Sequence, residues 1–147
     1  MQIKVIEVSQ ICGLAPAVID VISTTESAIY AAGPSDISAV AIETLAKIHP
    51  IHLINTDEQY LVIAGFRLYE LCKLILPDAK IPCIVHSDLS DEQLKLFAIT
   101  DILGSPLVHS LGTKYVQQIS SLAKAIDHDN AIRLFPKLKS IRRIRDY

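Results

Sequence analysis

Apolar residues recur along the chain with two periods, near two and near 3.6 residues, which predicts strands and helices in alternation. The clearest example is segment 60–74, YLVIAGFRLYELCKL. Its first four residues, Tyr60 to Ile63, are aromatic or aliphatic, as in a buried strand. From Phe66 the apolar residues follow helical spacing, and Gly65 permits a tight reversal between the two. The segment therefore predicts a strand, a glycine turn and a helix.

The remaining pattern predicts three further strands, separated by polar and proline-containing breaks. These strands are expected at residues 2–8, 51–55 and 81–86. We expect a turn from Ser9 to about Gly13 and a hairpin turn at 56–59.

Helices are predicted from the same pattern and from capping residues. They are expected at residues 15–21, 37–48, 90–103 and 113–126, and from Pro136 onward, with breaks at 33–36 and 127–130. Residues 27–32 fit a short helix or a strand. Ser35 or Asp36 is the expected N-cap of the helix at 37–48, and Ser90 with Gln93 forms a capping box.

Length and composition indicate one domain with an aliphatic core and at most a small appendage. The chain has 147 residues, 50% of them hydrophobic and 5% aromatic, and its mean hydropathy is +0.36. Part of this apolar surplus can cover a protein partner or a second copy in a homodimer. No apolar run reaches the roughly 18 residues of a membrane span, and a strand-like start with Glu7 is unlike a signal peptide. We therefore expect no membrane partner and a cytoplasmic location.

Cysteine and histidine spacing favours neither a disulfide framework nor a metal site. Cys12, Cys72 and Cys83 are odd in number and widely separated, without the paired spacing of zinc ligands. Cys72 and Cys83 fall at apolar positions and are expected to be small buried side chains. His49 and His52 flank the start of a predicted strand and are expected at the surface or in caps. We predict no metal site and no catalytic residue.

Basic residues concentrate at the C-terminal end, although the net charge of the chain is −2. On the helix predicted from Pro136, three aliphatic residues spaced three apart form an apolar stripe. The basic side chains project from its other faces: Lys137, Lys139, Arg142, Arg143 and Arg145. Such a helix can bind nucleic-acid phosphates, or it can be the solvated face of a packed helix.

The turn Ala64-Gly65-Phe66-Arg67 is the candidate ligand site. A helix N-terminus presents unpaired backbone N–H groups and a partial positive charge, which together can hold a phosphate or another anion. Arg67 lies in the first turn and can add a charge-assisted contact, and His86, at the end of a strand, can approach the same turn. The alternative is a plain strand–helix unit with a surface arginine.

Several segments in order resemble the N-terminal domain of ParB proteins, whose fold is shared with sulfiredoxin. The motifs are His49-Pro50-Ile51, Tyr60-Leu-Val-Ile-Ala-Gly-Phe-Arg67, Lys80-Ile-Pro-Cys-Ile-Val85 and Asp88-Leu-Ser-Asp-Glu-Gln93. The strand at Ile3–Val8 also fits the first strand of that family. The resemblance implies a small mixed sheet with flanking helices, and a nucleotide triphosphate held at the Gly-x-Arg-Arg segment.

The chain departs from the family at the residues that would hold this nucleotide. Gly65 and Arg67 are present, but Leu68 stands where the family has its second arginine. Residues 100–104, TDILG, replace the family's Glu-Asn-x-x-Arg box and contain no arginine, and no arginine precedes Arg67. Phe66 lies where sulfiredoxin has its catalytic cysteine, and a phenyl ring cannot act as a nucleophile. The nucleotide site and the active site are therefore expected to be degenerate.

These observations predict an α+β (mixed α/β) protein with a ParB/sulfiredoxin-like domain at 1–104 and a helical extension at 105–147. The leading hypothesis is a non-catalytic binding or regulatory module that associates with nucleic acid or a protein. The alternative is a nucleotide-dependent enzyme (a nuclease, an NTPase or a kinase) that uses the Gly65-Phe66-Arg67 turn. A third hypothesis is an assembly protein that forms a homodimer through its apolar surplus.

Overall fold

The computed structural model describes residues 1–23, 33–104 and 128–135. The strands in these ranges are β1 (Gln2–Glu7), β2 (Ile11–Leu14), β3 (Ile51–Thr56), β4 (Gln59–Ala64) and β5 (Lys80–His86). The α-helices are α1 (Pro16–Ser23), α2 (Ala39–Ile48), α3 (Phe66–Ile75), α4 (Asp91–Ile99) and α5 (His128–Leu134). Val8–Gln10 and Pro34–Asp36 form 3-10 turns, and a π-helical turn at Thr100–Gly104 continues α4.

The strands form one mixed sheet in the order β1-β5-β3-β4-β2. Strand β5 lies antiparallel to β1 and parallel to β3, while β4 lies antiparallel to β3 and parallel to β2. Antiparallel β3 and β4 follow one another through a short turn at Asp57 and Glu58, both of which have positive φ. Parallel β3 and β5 need the longer crossover that α3 provides. The predicted α+β class is confirmed.

The sheet curls, because the strands at its two edges are consecutive in sequence. Strands β1 and β2 occupy opposite ends of the sheet order, yet only the 3-10 turn Val8–Gln10 connects them. Five flat strands span about 19 Å from first to last, whereas a three-residue 3-10 turn advances only about 6 Å. The edges must therefore approach each other. Consistent with this, the ammonium group of Lys4 on β1 lies 5.7 Å from the ring centre of Tyr60 on β4.

Aliphatic side chains from both the sheet and the helices form the core. The largest of the fully buried side chains include Ile51 and Leu53 on β3, Ile63 on β4, Ile81 on β5 and Ile42 on α2. Helix α2 packs against α3, and α1 packs against α4. Burial of such side chains contributes about 1.5–3 kcal/mol each before entropy is subtracted. This core fixes the strand ends and helix ends that carry the site below.

Two predictions for the N-terminal half of the chain were wrong. The expected turn from Ser9 to Gly13 contains a short strand, β2, which pairs in parallel with β4. Neither Ser35 nor Asp36 caps α2, because Ser38 does so by accepting a hydrogen bond from the N–H of Ala41 at 3.2 Å. Asp36 instead accepts a hydrogen bond from the N–H of Gly33 at 2.8 Å.

The C-terminal prediction of a break at 127–130 was also wrong, because α5 begins at His128. The carbonyl oxygen of Leu134 accepts a hydrogen bond from the N–H of Ser38 at 3.0 Å, so α5 contacts the start of α2. The elements predicted at 27–32, at 113–126 and from Pro136 onward lie outside the described residues. None of the helices in the described ranges is long and apolar enough to cross a membrane.

Candidate functional site

Gly65 allows β4 to turn directly into α3, as the sequence predicted. Its φ is +83°, in the left-handed region that L side chains rarely adopt,. A Cβ at this position would lie 3.3 Å from the Cα of Ile51 on the neighbouring strand β3, so the backbones also approach closely here. The turn therefore aims the first N–H groups of α3 toward the end of the sheet.

A carboxylate of the chain itself occupies these N–H groups. Oδ2 of Asp101 accepts hydrogen bonds from the N–H of Gly65 at 2.8 Å and from the N–H of Phe66 at 3.3 Å. Asp101 reaches the turn from the π-helical turn that follows α4. Its charge compensates the positive end of the α3 dipole. The N–H groups that the sequence predicted to bind an external anion thus bind the Asp101 carboxylate of the same chain.

Arg67 lies on the outer surface of α3 and engages its own helix. Its guanidinium Nη1 is 3.0 Å from the Glu70 carboxylate one turn later, and the two side chains are 30% and 54% exposed. An exposed pair at this spacing contributes about 0.2–0.5 kcal/mol. This arrangement fits the alternative stated from the sequence, a strand–helix unit with a surface arginine.

Two histidines meet across the parallel strands β3 and β5, where His52 lies near the amino end of β3 and His86 is the last residue of β5. Nδ1 of His52 lies 3.0 Å from Nε2 of His86. The ring planes are tilted by only 20° and the ring centres are 5.2 Å apart. Because the centres are much farther apart than the nitrogens, the rings meet nitrogen to nitrogen rather than face to face. The contact is therefore an N–H···N hydrogen bond, in which either ring can donate.

Phe97 of α4 covers the histidine pair. Its ring centre lies 5.7 Å from that of His52 and 4.9 Å from that of His86, and the latter contact is edge to face. His86 is buried at 7% exposure, and His52 is half-buried. The prediction of a surface or cap role was wrong for His52, whereas His49 is exposed.

Burial makes both histidines harder to protonate. Desolvation lowers the pKa of His52, and the Asp101 carboxylate opposes this by raising it. Desolvation also lowers the pKa of His86, and the charges of His52 and of the N-terminal amino group lower it further. Both rings are therefore uncharged at neutral pH, and the Asp101 carboxylate is the negative group that favours protonation of His52,.

The predicted turn residues Ala64, Gly65 and Phe66 lie beside the predicted His86, through partners that the sequence did not identify, whereas Arg67 pairs with Glu70 on the outer surface of α3. In the sheet register Ala64 lies opposite His52, so the Gly65 turn begins beside the histidine pair. Asp101 links the two parts electrostatically, since it caps α3 and acts on His52. His52, Phe97 and Asp101 were missed. The sequence feature that could have indicated a polar cluster was His86, because a polar residue at the end of a buried apolar strand is rare.

The described residues offer little for metal or thiol chemistry. Within ranges 1–23, 33–104 and 128–135, no group of three or more His, Cys, Asp or Glu side chains could hold a metal ion. Cys72 and Cys83 are buried as predicted. Burial raises the pKa of Cys72 to about 11 and that of Cys83 to about 12, so both remain protonated thiols at neutral pH,.

The basic residues predicted to bind nucleic acid, Lys137, Lys139, Arg142, Arg143 and Arg145, lie outside the described residues. No family model matches the chain, and a search of curated proteins found no significant match. The resemblance to ParB therefore stays a prediction from the sequence.

Proposed function

We propose that this protein is a ParB-like binding module that has lost nucleotide chemistry and associates with a macromolecular partner. The observation that carries the proposal is the Asp101 carboxylate on the N–H groups of Gly65 and Phe66. In the resemblance, these N–H groups belong to the segment that would hold a triphosphate. Here they bind a negative group that the chain supplies.

A phosphate has to displace this carboxylate before it can use the same N–H groups. Hydrogen bonds to a charged group contribute about 1.5–3 kcal/mol each, and each 1.4 kcal/mol is about tenfold in affinity. If Asp101 remained nearby, it would also repel a phosphate. Leu68 and the arginine-free segment 100–104 supply no compensating cation. The alternative of a nucleotide-dependent enzyme is therefore disfavoured on both steric and electrostatic grounds.

The experiment is thermal unfolding with and without millimolar nucleoside triphosphates and Mg²⁺, on the wild type, Arg67→Ala and Asp101→Asn. A ligand at about 100 times its dissociation constant adds roughly 2.7 kcal/mol to the free energy of unfolding. We expect no shift of the wild-type midpoint. A wild-type shift that Arg67→Ala abolishes would overturn the proposal and restore the enzyme hypothesis. A shift confined to Asp101→Asn would support it, because this variant lacks the negative charge that competes with a phosphate and repels it.

A second copy of the chain is the partner that strand β1 favours. Met1, which precedes this edge strand, and Ile3 and Val5 within it are exposed at 80%, 75% and 69%. In the sheet register Ile3 pairs with Ile84 and Val5 pairs with Pro82 on β5, so the apolar face continues onto the next strand. A two-fold axis through Ile3 would pair two β1 strands antiparallel, with Met1 opposite Val5 and Gln2 opposite Lys4. This register keeps apolar residues together and avoids like charges.

Sedimentation equilibrium of the full chain tests this assembly. We expect a dimer for the wild type and a monomer for Val5→Lys, because the lysine would place two charges inside the joined apolar face. Ile19→Lys is the matched control, since Ile19 is a 49% exposed isoleucine on α1. This control should remain dimeric. A monomeric wild type, or a Val5→Lys variant that still dimerises, would exclude β1 as the interface between copies.

A further inference from the structure

The contact between His52 and His86 can hold one added proton but not two. In the neutral pair one ring donates its N–H across the 3.0 Å contact and the other ring accepts it,. A first added proton can go to the outer nitrogen of the donor ring, which leaves the contact intact and makes it charge-assisted. A second proton has to go to the accepting nitrogen, because the outer nitrogen of that ring already carries one. Two N–H groups and two positive charges would then face each other.

Few charged groups surround the pair in the described part of the chain. The Asp101 carboxylate, after α4, acts on His52 and favours its protonated form. The N-terminal amino group, beside β1, acts on His86 and opposes its protonated form. Phe97 supplies an apolar cover from α4. One negative group can compensate the first added charge, but among the described residues no carboxylate acts on His86 to compensate the next.

The pair also connects separate elements of the fold. His52 belongs to β3 and His86 to β5, while Phe97 belongs to α4, whose Leu94 and Ala98 are buried. The chain then continues from α4 into the turn that places Asp101 on the N-terminus of α3. A separation of the two rings would therefore remove the surface on which Phe97 rests and disturb the segment that carries Asp101.

We propose that the His52–His86 pair is an acid-sensitive clamp that holds α4 against the sheet and opens when the pair gains its second proton. Opening frees Phe97 and loosens the Asp101 cap on α3, while the buried strands β3 and β5 keep their hydrogen bonds. The device is independent of the partner proposed above, because it depends only on contacts within one chain.

The test is NMR of the full chain between about pH 8 and pH 5, the range in which histidine changes charge. Ring resonances follow each histidine, and amide hydrogen exchange, corrected for the intrinsic rate, follows α4. We expect a two-step titration of the pair, because coupled groups release protons in separate steps. The corrected exchange of the Ala98 amide should rise about tenfold with the second step, while that of Leu53 on β3 should stay constant.

Two variants separate the role of the His52–His86 pair from that of helix α4, which responds to it. His52→Gln should give a single-step titration of His86, at a higher pH than the second step of the wild-type pair. It should also remove the acid-induced rise in the hydrogen exchange of α4. Phe97→Leu should keep the two-step titration but show fast exchange of α4 already at neutral pH. His49→Gln, at an exposed histidine of α2's C-cap, should behave as the wild type.

Independent one-step titrations of the two histidines in the wild type would overturn the proposal. So would a two-step titration with no change in the exchange of α4, because the pair would then be coupled without controlling the helix. Both outcomes are measured on the wild type, so the test stands even where a variant fails to fold.

Discussion

His52 and His86 lie 34 residues apart in the sequence, yet their ring nitrogens lie 3.0 Å apart. Parallel strands bring them together, because His52 on β3 pairs in register with Ile84 on β5, two residues before His86 and on the same face of the sheet,. Their contact lies beside the Gly65 turn and under Phe97. A change in the charge of either ring therefore acts on two strands and a helix at once.

The free energy of unfolding should fall as the pH drops below about 6.5, the ordinary histidine pKa. Both rings have a folded-state pKa below that value, so the unfolded chain binds more protons than the folded chain in this range. The contribution of the two histidines to the free energy of unfolding is therefore fully present above about pH 6.5. It is lost as the pH falls toward their folded-state pKa values. Urea unfolding at successive pH values measures this loss.

The control for this pH dependence is the exposed His49. A double variant, His52→Gln with His86→Gln, should show a flatter profile between about pH 8 and pH 5.5, above the range of most carboxylates. His49→Gln should leave the profile unchanged. An unchanged profile in the double variant would assign the acid sensitivity to other groups.

Asp101→Ala should destabilise the fold by about 1–3 kcal/mol, because two N–H groups at the start of α3 lose their acceptor. Asp101→Asn should cost less, since its amide oxygen can still accept both bonds and only the charge at the helix dipole is lost. Chemical denaturation gives both values. Asp91→Ala is the matched control: this exposed acid in the first turn of α4 should cost less than 1 kcal/mol,. Equal costs for Asp91→Ala and Asp101→Ala would refute the cap.

The strand–turn–helix unit around Gly65 could be predicted from sequence because its signals are local. Val62 and Ile63 are fully buried, and Phe66, Tyr69 and Leu71 form the buried face of α3 at the expected spacing. Only Leu74 departs from this pattern, at 67% exposure. The spacing of the apolar residues and the position of the glycine suffice to predict such a unit, because every residue that defines it lies within one strand, one turn or one helix.

The cap and the histidine pair could not be predicted, because their partners are distant in sequence. Asp101 lies 36 residues beyond Gly65, and nothing in the segment TDILG marks one acid as the partner of that turn. Strand β2 was missed for a related reason. It has four residues and contains Gly13, and its pairing with β4 is visible only in the sheet. A strand this short lacks the alternation that identifies strands from sequence.

Ser38→Ala should cost about 1 kcal/mol of stability, whereas Ser35→Ala should change it by less than about 0.5 kcal/mol. Ser38 accepts the hydrogen bond from the N–H of Ala41 and caps α2, while Ser35 is exposed in the preceding 3-10 turn. Urea unfolding of both variants measures the difference. A larger cost for Ser35→Ala would restore the cap that the sequence first predicted.

One of the three thiols should react with a thiol reagent in the folded protein. Cys12 is exposed, whereas Cys72 and Cys83 are buried and their pKa values are raised to about 11 and 12. A colorimetric titration at about pH 8 should therefore show one fast thiol, with the other two released on unfolding. Cys12→Ser should abolish the fast phase. Three fast thiols in the folded wild type would contradict the buried positions.

Gly65→Ala should destabilise the protein by about 1–2 kcal/mol from the left-handed backbone alone. The new Cβ would also press on the Cα of Ile51 at 3.3 Å, a backbone atom that cannot rotate away, so the measured cost should exceed that range. Gly104→Ala is the matched control, because its Cβ meets only the Thr100 side chain at 3.4 Å and its φ is not positive. Chemical denaturation compares the two. Equal stability of both variants would show that the β4–α3 turn does not depend on glycine.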